Sequence, residues 1–413
     1  MANLTPQSKL LPKTKYADFR MIVILCLAVS VGRFSLDSYL PSLPAIALAF
    51  HATADQVQLT LTFYFLGYGI SQFLYGPLSE KFGRRHLLLL GMSIFLLGSF
   101  LCAVSVSINM LIAARLLAGI GAGAGGVLAR AIVSDWFPDY AMATVWAQVT
   151  TAIVVSLTIG PVLGGAIQQY FSFEYNFWLS FLYGVVVFII LIYYLPETHH
   201  QTHAVNLNIK KITATYFNIL MNRRFIIYTV CSTIAFSALT IFFQLSPFIF
   251  ISDFGYTPIK YGFVLIWIAF GYIIGGRLVK IYSTSYSSNT VVNLGALLIL
   301  AAVALLVLWH FFALAYESIA VTVVSILFVI GSRLIVATGM AAGLKSYRHI
   351  AGYAAALSGG VQMLGGTLIS YCIAQVFVGT PLHRLTLALF GIGIFILLLI
   401  SAIGREKNYR EKI

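Results

Sequence analysis

The sequence predicts an all-α integral membrane protein of twelve transmembrane helices in two sets of six, with both termini on the cytoplasmic side. Three observations lead there. The chain of 413 residues is 60% hydrophobic and only 9% charged, with a mean hydropathy of +0.94, whereas a soluble domain carries about 25% charged residues. Apolar runs of about 20 residues, the length a helix needs to cross a hydrocarbon core, recur from end to end. Lys and Arg gather in alternate breaks between these runs, as they do in short cytoplasmic loops.

The runs fall at 21–47, 56–76, 85–107, 110–134, 142–169, 176–195, 225–250, 260–282, 290–312, 317–340, 350–378 and 385–403. The longest internal break, Pro196 to Arg224, separates the first six from the last six. Residues 1–20 are polar and basic, and the run after them lacks a small-residue cleavage signal, so they read as a retained cytoplasmic tail. The organisation is then an N-terminal tail at 1–20, a first six-helix unit at 21–196 and a cytoplasmic linker at 197–224. A second six-helix unit follows at 225–404, with a C-terminal tail at 405–413. With the N-terminus inside, only Lys260 and Arg384 fall in outer loops, and Arg33, Arg115, Arg130 and Arg333 lie within spans. RLLAGIGAGAGG from Arg115 in the fourth span and RLIVATGMAAGL from Arg333 in the tenth each set an Arg before a small-residue face, which permits close helix packing. A duplicated half would produce that echo.

Several function classes drop out. The net charge of +13 comes from scattered inter-span residues without a basic face, so nucleic acid is not an expected partner. Cys26, Cys102, Cys231 and Cys372 lie in apolar runs without paired spacing, which argues for packing and against a disulfide framework or zinc site. His199, His200 and His203 have no carboxylate or Cys framework around them, so no metal is expected. A phosphate-binding glycine loop, a nucleophile elbow and paired catalytic carboxylates are all missing. The expectation is a protein that is not an enzyme, works without a cofactor and draws its energy from a gradient.

Arg33 lies about 18 Å into the first span at 1.5 Å per residue, near mid-bilayer. A charge there costs about 2.5–3.5 kcal/mol on insertion scales, so a cavity or a partner is required. Asp37, four residues on, shares its helix face, and is the one acid well inside a span. Two readings stand side by side: Asp37 as the proton carrier, tuned by burial and by Arg33, or a neutralised structural pair. Arg115 is read equally as functional or as a helix tie. Arg130, with Asp135 on the same helix, is expected to support the loop after the second span. Arg33 and Arg333 together would suit an anionic ligand. Tyr39, Tyr64, Tyr68, Gln72, Gln148, Gln244 and Gln362 are candidates to line the cavity, although single polar residues in spans more often bond between helices.

The loop after the second span reads GPLSEKFGRRHLLL. Gly76 and Gly83 permit a tight turn, and Glu80 can pair with Arg84 or accept hydrogen bonds at a helix N-terminus. This loop resembles the signature of the major facilitator superfamily, with Glu80 where Asp is usual, Lys81 where Arg is usual, and Arg84 and Arg85 following. LIAARLLAGIGAG resembles its fourth-helix motif, with Arg115, Gly119, Gly121 and Gly123. GPVLGG resembles the core of its antiporter motif, through Gly160, Pro161, Gly164 and Gly165, with Ala147 and Ser156 where glycines are usual. SLDSYLPSLP, ARAIVSDWFP, IAGYAAALSG and the closing PET resemble the bicyclomycin-resistance and chloramphenicol-exporter group of drug:proton antiporters.

The resemblance implies two pseudo-symmetric six-helix bundles, a central cavity and alternating access, in a multi-pass protein of the bacterial inner membrane. It further implies proton-coupled export of small amphipathic molecules by a monomer whose partners are lipid, protons and substrate. The alternative is export or uptake of a specific anionic metabolite such as a carboxylate siderophore, prompted by four span arginines against one carboxylate. A non-transporting receptor or scaffold would need an added soluble module or long tail.

Overall fold

The computed structural model describes residues 15–199, 209–312, 317–376 and 379–410, and these residues are all-helical. The first half holds α1 (Lys15–Asp37), α2 (Leu43–Ala49), α3 (Ala54–Phe82), α4 (Arg84–Ala103), α5 (Ile108–Trp136), α6 (Asp139–Tyr170) and α7 (Glu174–Tyr194). After α8 (Ile209–Leu220), the second half holds α9 (Arg223–Pro247), α10 (Pro258–Ser285), α11 (Ser288–Phe311), α12 (Glu317–Leu344), α13 (Ala351–Val376) and α14 (Pro381–Arg410). Eleven helices among the described residues are long and apolar enough to cross a membrane. The expected span at 56–76 forms α3, which is not among the eleven, because Gln56, Gln58, Thr60, Thr62, Tyr64, Tyr68 and Gln72 break its apolarity.

Local chemistry explains the element ends. The first expected span, 21–47, is two helices, because Pro41 and Pro44 withhold the amide donors that an unbroken helix would need there. A single 3₁₀ turn, Leu40–Ser42, joins α1 to α2. Thr53 and Gln56 form a reciprocal capping box at the start of α3, satisfying two end amides. Gly83 takes φ 88° between α3 and α4, a conformation that costs a residue with a Cβ dearly. The expected linker at 197–224 contains α8, a short amphipathic helix without an apolar run. Positions 1–14, 200–208 and 411–413 lie outside the described residues, among them His200 and His203.

Within each half one helix is central: α5 packs on α1, α3 and α4, and α12 packs on α9, α10 and α11. Small residues make these approaches close. A Cβ on Gly119 would strike the Tyr64 carbonyl, one on Gly123 the Ser71 hydroxyl, and one on Gly164 the Ser38 carbonyl. The halves meet along α3 with α13 and α6 with α10, where Gly165 faces Pro258 and Pro161 faces Gly262.

The internal echo needs a correction. A Cβ on Gly121 of α5 would lie 2.6 Å from the Gly91 carbonyl oxygen of α4, and one on Gly295 of α11 would lie 2.7 Å from that of Gly331 in α12. Gly91 and Gly295 stand at the same place in α4 and α11. This packing pairs Gly121 with Gly331, and so sets Arg333 opposite Gly123 and not Arg115. The two arginines precede small residues in sequence but lie at different depths.

Candidate functional site

The last turn of α1 carries the charges. Arg33 Nε donates to Asp37 Oδ2 at 2.8 Å; the Asp37 side chain is fully buried and that of Arg33 is 22% exposed. The i, i+4 spacing on a helix puts the two side chains within reach. Gly160 of α6 backs Asp37, with a built Cβ 3.0 Å from the Asp37 Cβ. From the other half, the Phe243 ring of α9 lies 5.3 Å from the Arg33 guanidinium carbon. The pair therefore occupies the seam between halves, and Asp37 Oδ1 has no hydrogen-bond partner among the described residues.

Next to Phe243, Gln244 stitches the same seam. Its Nε2 donates to Thr62 Oγ1 of α3 at 3.2 Å, and its Oε1 accepts from Ser370 Oγ of α13 at 2.5 Å. Farther along α3, Asp55 accepts from Arg384 Nη1 of α14 at 2.7 Å. Gln72 faces Gly359 of α13 across the seam, and Gln362 of α13 is buried.

Arg115, Tyr39 and Tyr64 form a second cluster, inside the first half. The Arg115 guanidinium carbon lies 4.1 Å from the Tyr64 ring centre and 4.7 Å from that of Tyr39, with Phe177 at 6.0 Å. Tyr64 donates to the Gly32 carbonyl at 2.6 Å, and Tyr39 pairs with Thr60 Oγ1 at 2.6 Å. All three side chains are buried, so they fill the bundle core and do not line an open path. Tyr68, half-buried, turns its hydroxyl to Gly126. Gln148 of α6 is exposed. Arg333 lies 4.4 Å over the Tyr272 ring of α10, against a different aromatic from the one beneath Arg33.

The loop between α3 and α4 departs from the expected pairing in two ways. Arg84 Nε pairs with Asp135 Oδ2 at 3.0 Å and also contacts Ser79, so Glu80 is not its partner. Nor does Glu80 cap α4. That role belongs to Glu197, whose Oε1 accepts from the Arg84 amide at 2.9 Å and whose Oε2 accepts from the Arg85 amide at 3.2 Å. The amides of Thr198 and His199 also donate to Glu197. Burial pushes this carboxyl upward, but the four backbone donors outweigh it and hold the group below its ordinary value. Arg130 does not join the loop: it is exposed, with its guanidinium carbon 4.9 Å over the Trp146 ring of α6. Lys81 is exposed over Phe82, and Arg85 donates to the Ile192 carbonyl at 2.6 Å. Nothing packs within 4 Å of a Cβ built on Gly76.

Glu197 was visible in the sequence as part of PET, but its function was not. It reaches an amide 113 positions earlier, and no local spacing rule connects the two.

A family profile for the Major Facilitator Superfamily matches residues 25–370, and the chain belongs to that superfamily: it is a multi-pass membrane transporter, not an enzyme. An MFS-type transporter of Bacillus subtilis is 27% identical over 350 residues, 84% of this chain and 86% of the relative. A bicyclomycin resistance protein homolog of Haemophilus influenzae is 23% identical over 88% of this chain and 91% of its own length. Multidrug resistance protein D of Escherichia coli is 32% identical over a shorter stretch, 44% of this chain and 46% of its own length. Among solved structures, a D-xylose-proton symporter superposes with a TM-score of 0.75 at 13% identity, covering 92% of this chain and 97% of the symporter.

Proposed function

We propose that this protein is a proton-coupled secondary transporter that exports small amphipathic organic molecules by alternating access. In this reading α3 crosses the bacterial inner membrane as the twelfth span, both termini are cytoplasmic, the working unit is a monomer, and no cofactor takes part. The two six-helix halves, 21–196 and 225–404, rock about the seam. The resistance proteins among its relatives support the substrate class.

The observation that carries the coupling is the Arg33–Asp37 pair, buried against a ring of the opposite half. A carboxylate at this depth is tolerable while its arginine is beside it. Any step that separates the halves moves Phe243 away and opens the pair to substrate or water. A cationic or strongly polar substrate that engages Asp37 competes with a proton for the same oxygens, which yields exchange. In proteoliposomes with an imposed pH gradient, Asp37→Asn is expected to abolish gradient-driven accumulation while leaving downhill binding measurable. Full gradient-driven transport by that variant would overturn the assignment.

The second reading, an anionic metabolite such as a carboxylate siderophore, is favoured by a different observation. Among the described residues, Arg115, Arg130 and Arg333 rest on aromatic rings and have no carboxylate partner, so the spans carry surplus positive charge. A deletion strain separates the two: raised drug susceptibility supports the first, and an iron-dependent growth defect without it supports the second.

A further inference from the structure

Helix α8 has two unlike sides. One is built into the protein: Ile219 is 1% exposed and clusters with Phe225, Ala354 and Leu357. The Tyr216 ring lies 6.0 Å from Phe73 of α3 and 5.9 Å from Tyr353 of α13. The other side is exposed, with Phe217 61% and Met221 68% exposed and Ala214 and Asn218 exposed beside them. Positions 214, 217 and 221 recur at the spacing of one helix face.

Charge and depth narrow what can cover that face. Between Glu197 and Asp253 the chain has no acidic residue, while Lys210, Lys211, Arg223 and Arg224 bracket the helix. Tyr216 docks at the level of Phe73, nine residues short of the end of α3 at Phe82, which is about 13 Å along the helix axis. Helix α8 thus lies against the flank of the bundle, along the last three turns of α3 between Phe73 and Glu80. A helix with apolar residues on its exposed face, basic residues in its sequence and just after it, and Glu80 of α3 near Tyr216 on the packed side matches the boundary between acyl chains and anionic headgroups.

We infer that α8 is a membrane-surface helix that binds anionic phospholipid headgroups through its basic residues while Phe217 and Met221 enter the acyl boundary. The inference is independent of the transported substrate. Because Tyr216 touches both α3 and α13, lipid held on α8 also bears on the seam between halves.

The test uses the full chain with Cys26→Ser and Cys372→Ser, spin-labelled through Phe217→Cys or, in a second variant, through Met221→Cys. Each is reconstituted in phosphatidylcholine vesicles with or without phosphatidylglycerol. With phosphatidylglycerol present, the label is expected to collide with oxygen and to be shielded from a water-soluble nickel chelate. Lys210→Gln and Lys211→Gln are each expected to weaken that partition by up to about fivefold. Free access of the chelate to both labels in both vesicle types would overturn the inference. Shielding that ignores both phosphatidylglycerol and the lysines would overturn the anionic part, and shielding from oxygen and chelate alike would mark a protein contact instead. None of these readouts requires transport, so a failed transport assay leaves the result intact.

Discussion

The first turns of α4 and α11 hold equivalent places in the two halves, yet their free amides are satisfied in opposite ways. In the second half the answer is local: Ser287 Oγ accepts from the Thr290 amide at 3.2 Å. In the first half no side chain next to the helix caps it, Gly83 standing at the N-cap, and the acceptor is Glu197 from beyond the end of α7. The first half ties the start of α4 to the segment after α7 through a carboxylate, and no such tie is seen among the described residues of the second half. Its central arginine differs too: Arg115 is enclosed by three rings, whereas Arg333 lies over one. These contacts predict that the first half is the more firmly fixed body.

The largest effect that would break this contrast is at the central arginines. Arg115→Ala removes a desolvated cation from two close rings and leaves a void, and is expected to cost about 3 kcal/mol. Arg333→Ala is expected to cost about 1 kcal/mol. Thermal unfolding of the two variants in detergent measures the gap, and equal losses would erase the distinction.

The glycine register comes next. Gly121→Val and Gly331→Val each drive a side chain into a facing backbone and should destabilise by about 2 kcal/mol alike. If only one of them does, the two central helices are not equivalent at those positions.

The caps follow. Glu197→Gln and Ser287→Ala should each cost about 1 kcal/mol at neutral pH. They should part on acidification, because the Glu197 carboxyl is held below its ordinary value of 4.5. Its contribution is complete above that pH and is lost as the pH falls below it and through the lower folded value. The wild type should therefore lose stability in that acid range, Glu197→Gln should lose less, and Ser287→Ala should follow the wild type. A melting series from neutral to acid pH reads the difference.

The smallest effect is at the outer tie between halves. Asp55 is 40% exposed in its pair with Arg384, and Asp55→Asn should change stability by no more than about 1 kcal/mol. A larger loss would mean that the seam depends on this pair more than on Gln244.

What the sequence made legible follows from the range of the forces involved. Helices such as α5, α7 and α11 announce themselves because an apolar run has no other way to satisfy its backbone in lipid. The contact of Arg33 with Asp37 is legible for the same local reason, a spacing of four. Helix α8 escaped because its apolar residues are interspersed with Lys, Thr and Asn, and an unbroken apolar run was the signal sought. The Glu197 cap escaped because it joins residues remote in sequence, and the echo at Arg115 and Arg333 misled because similar strings of small residues can pack at different depths. Tyr39 and Tyr64 were expected in an open cavity, and only three-dimensional packing shows them closed around Arg115.

The polar character of α3 has a consequence for how the protein is made. A segment rich in Gln, Thr and Tyr partitions poorly into lipid when it leaves the ribosome, so it is not held there by its own composition. The residues that receive it, Gly119 against Tyr64 and Gly123 against Ser71, belong to α5 and are synthesised some forty residues later. With α3 as the proposed twelfth span, its retention during biogenesis is expected to wait for α5, and a bulky residue on that glycine face is expected to be felt first as failed insertion of a different helix.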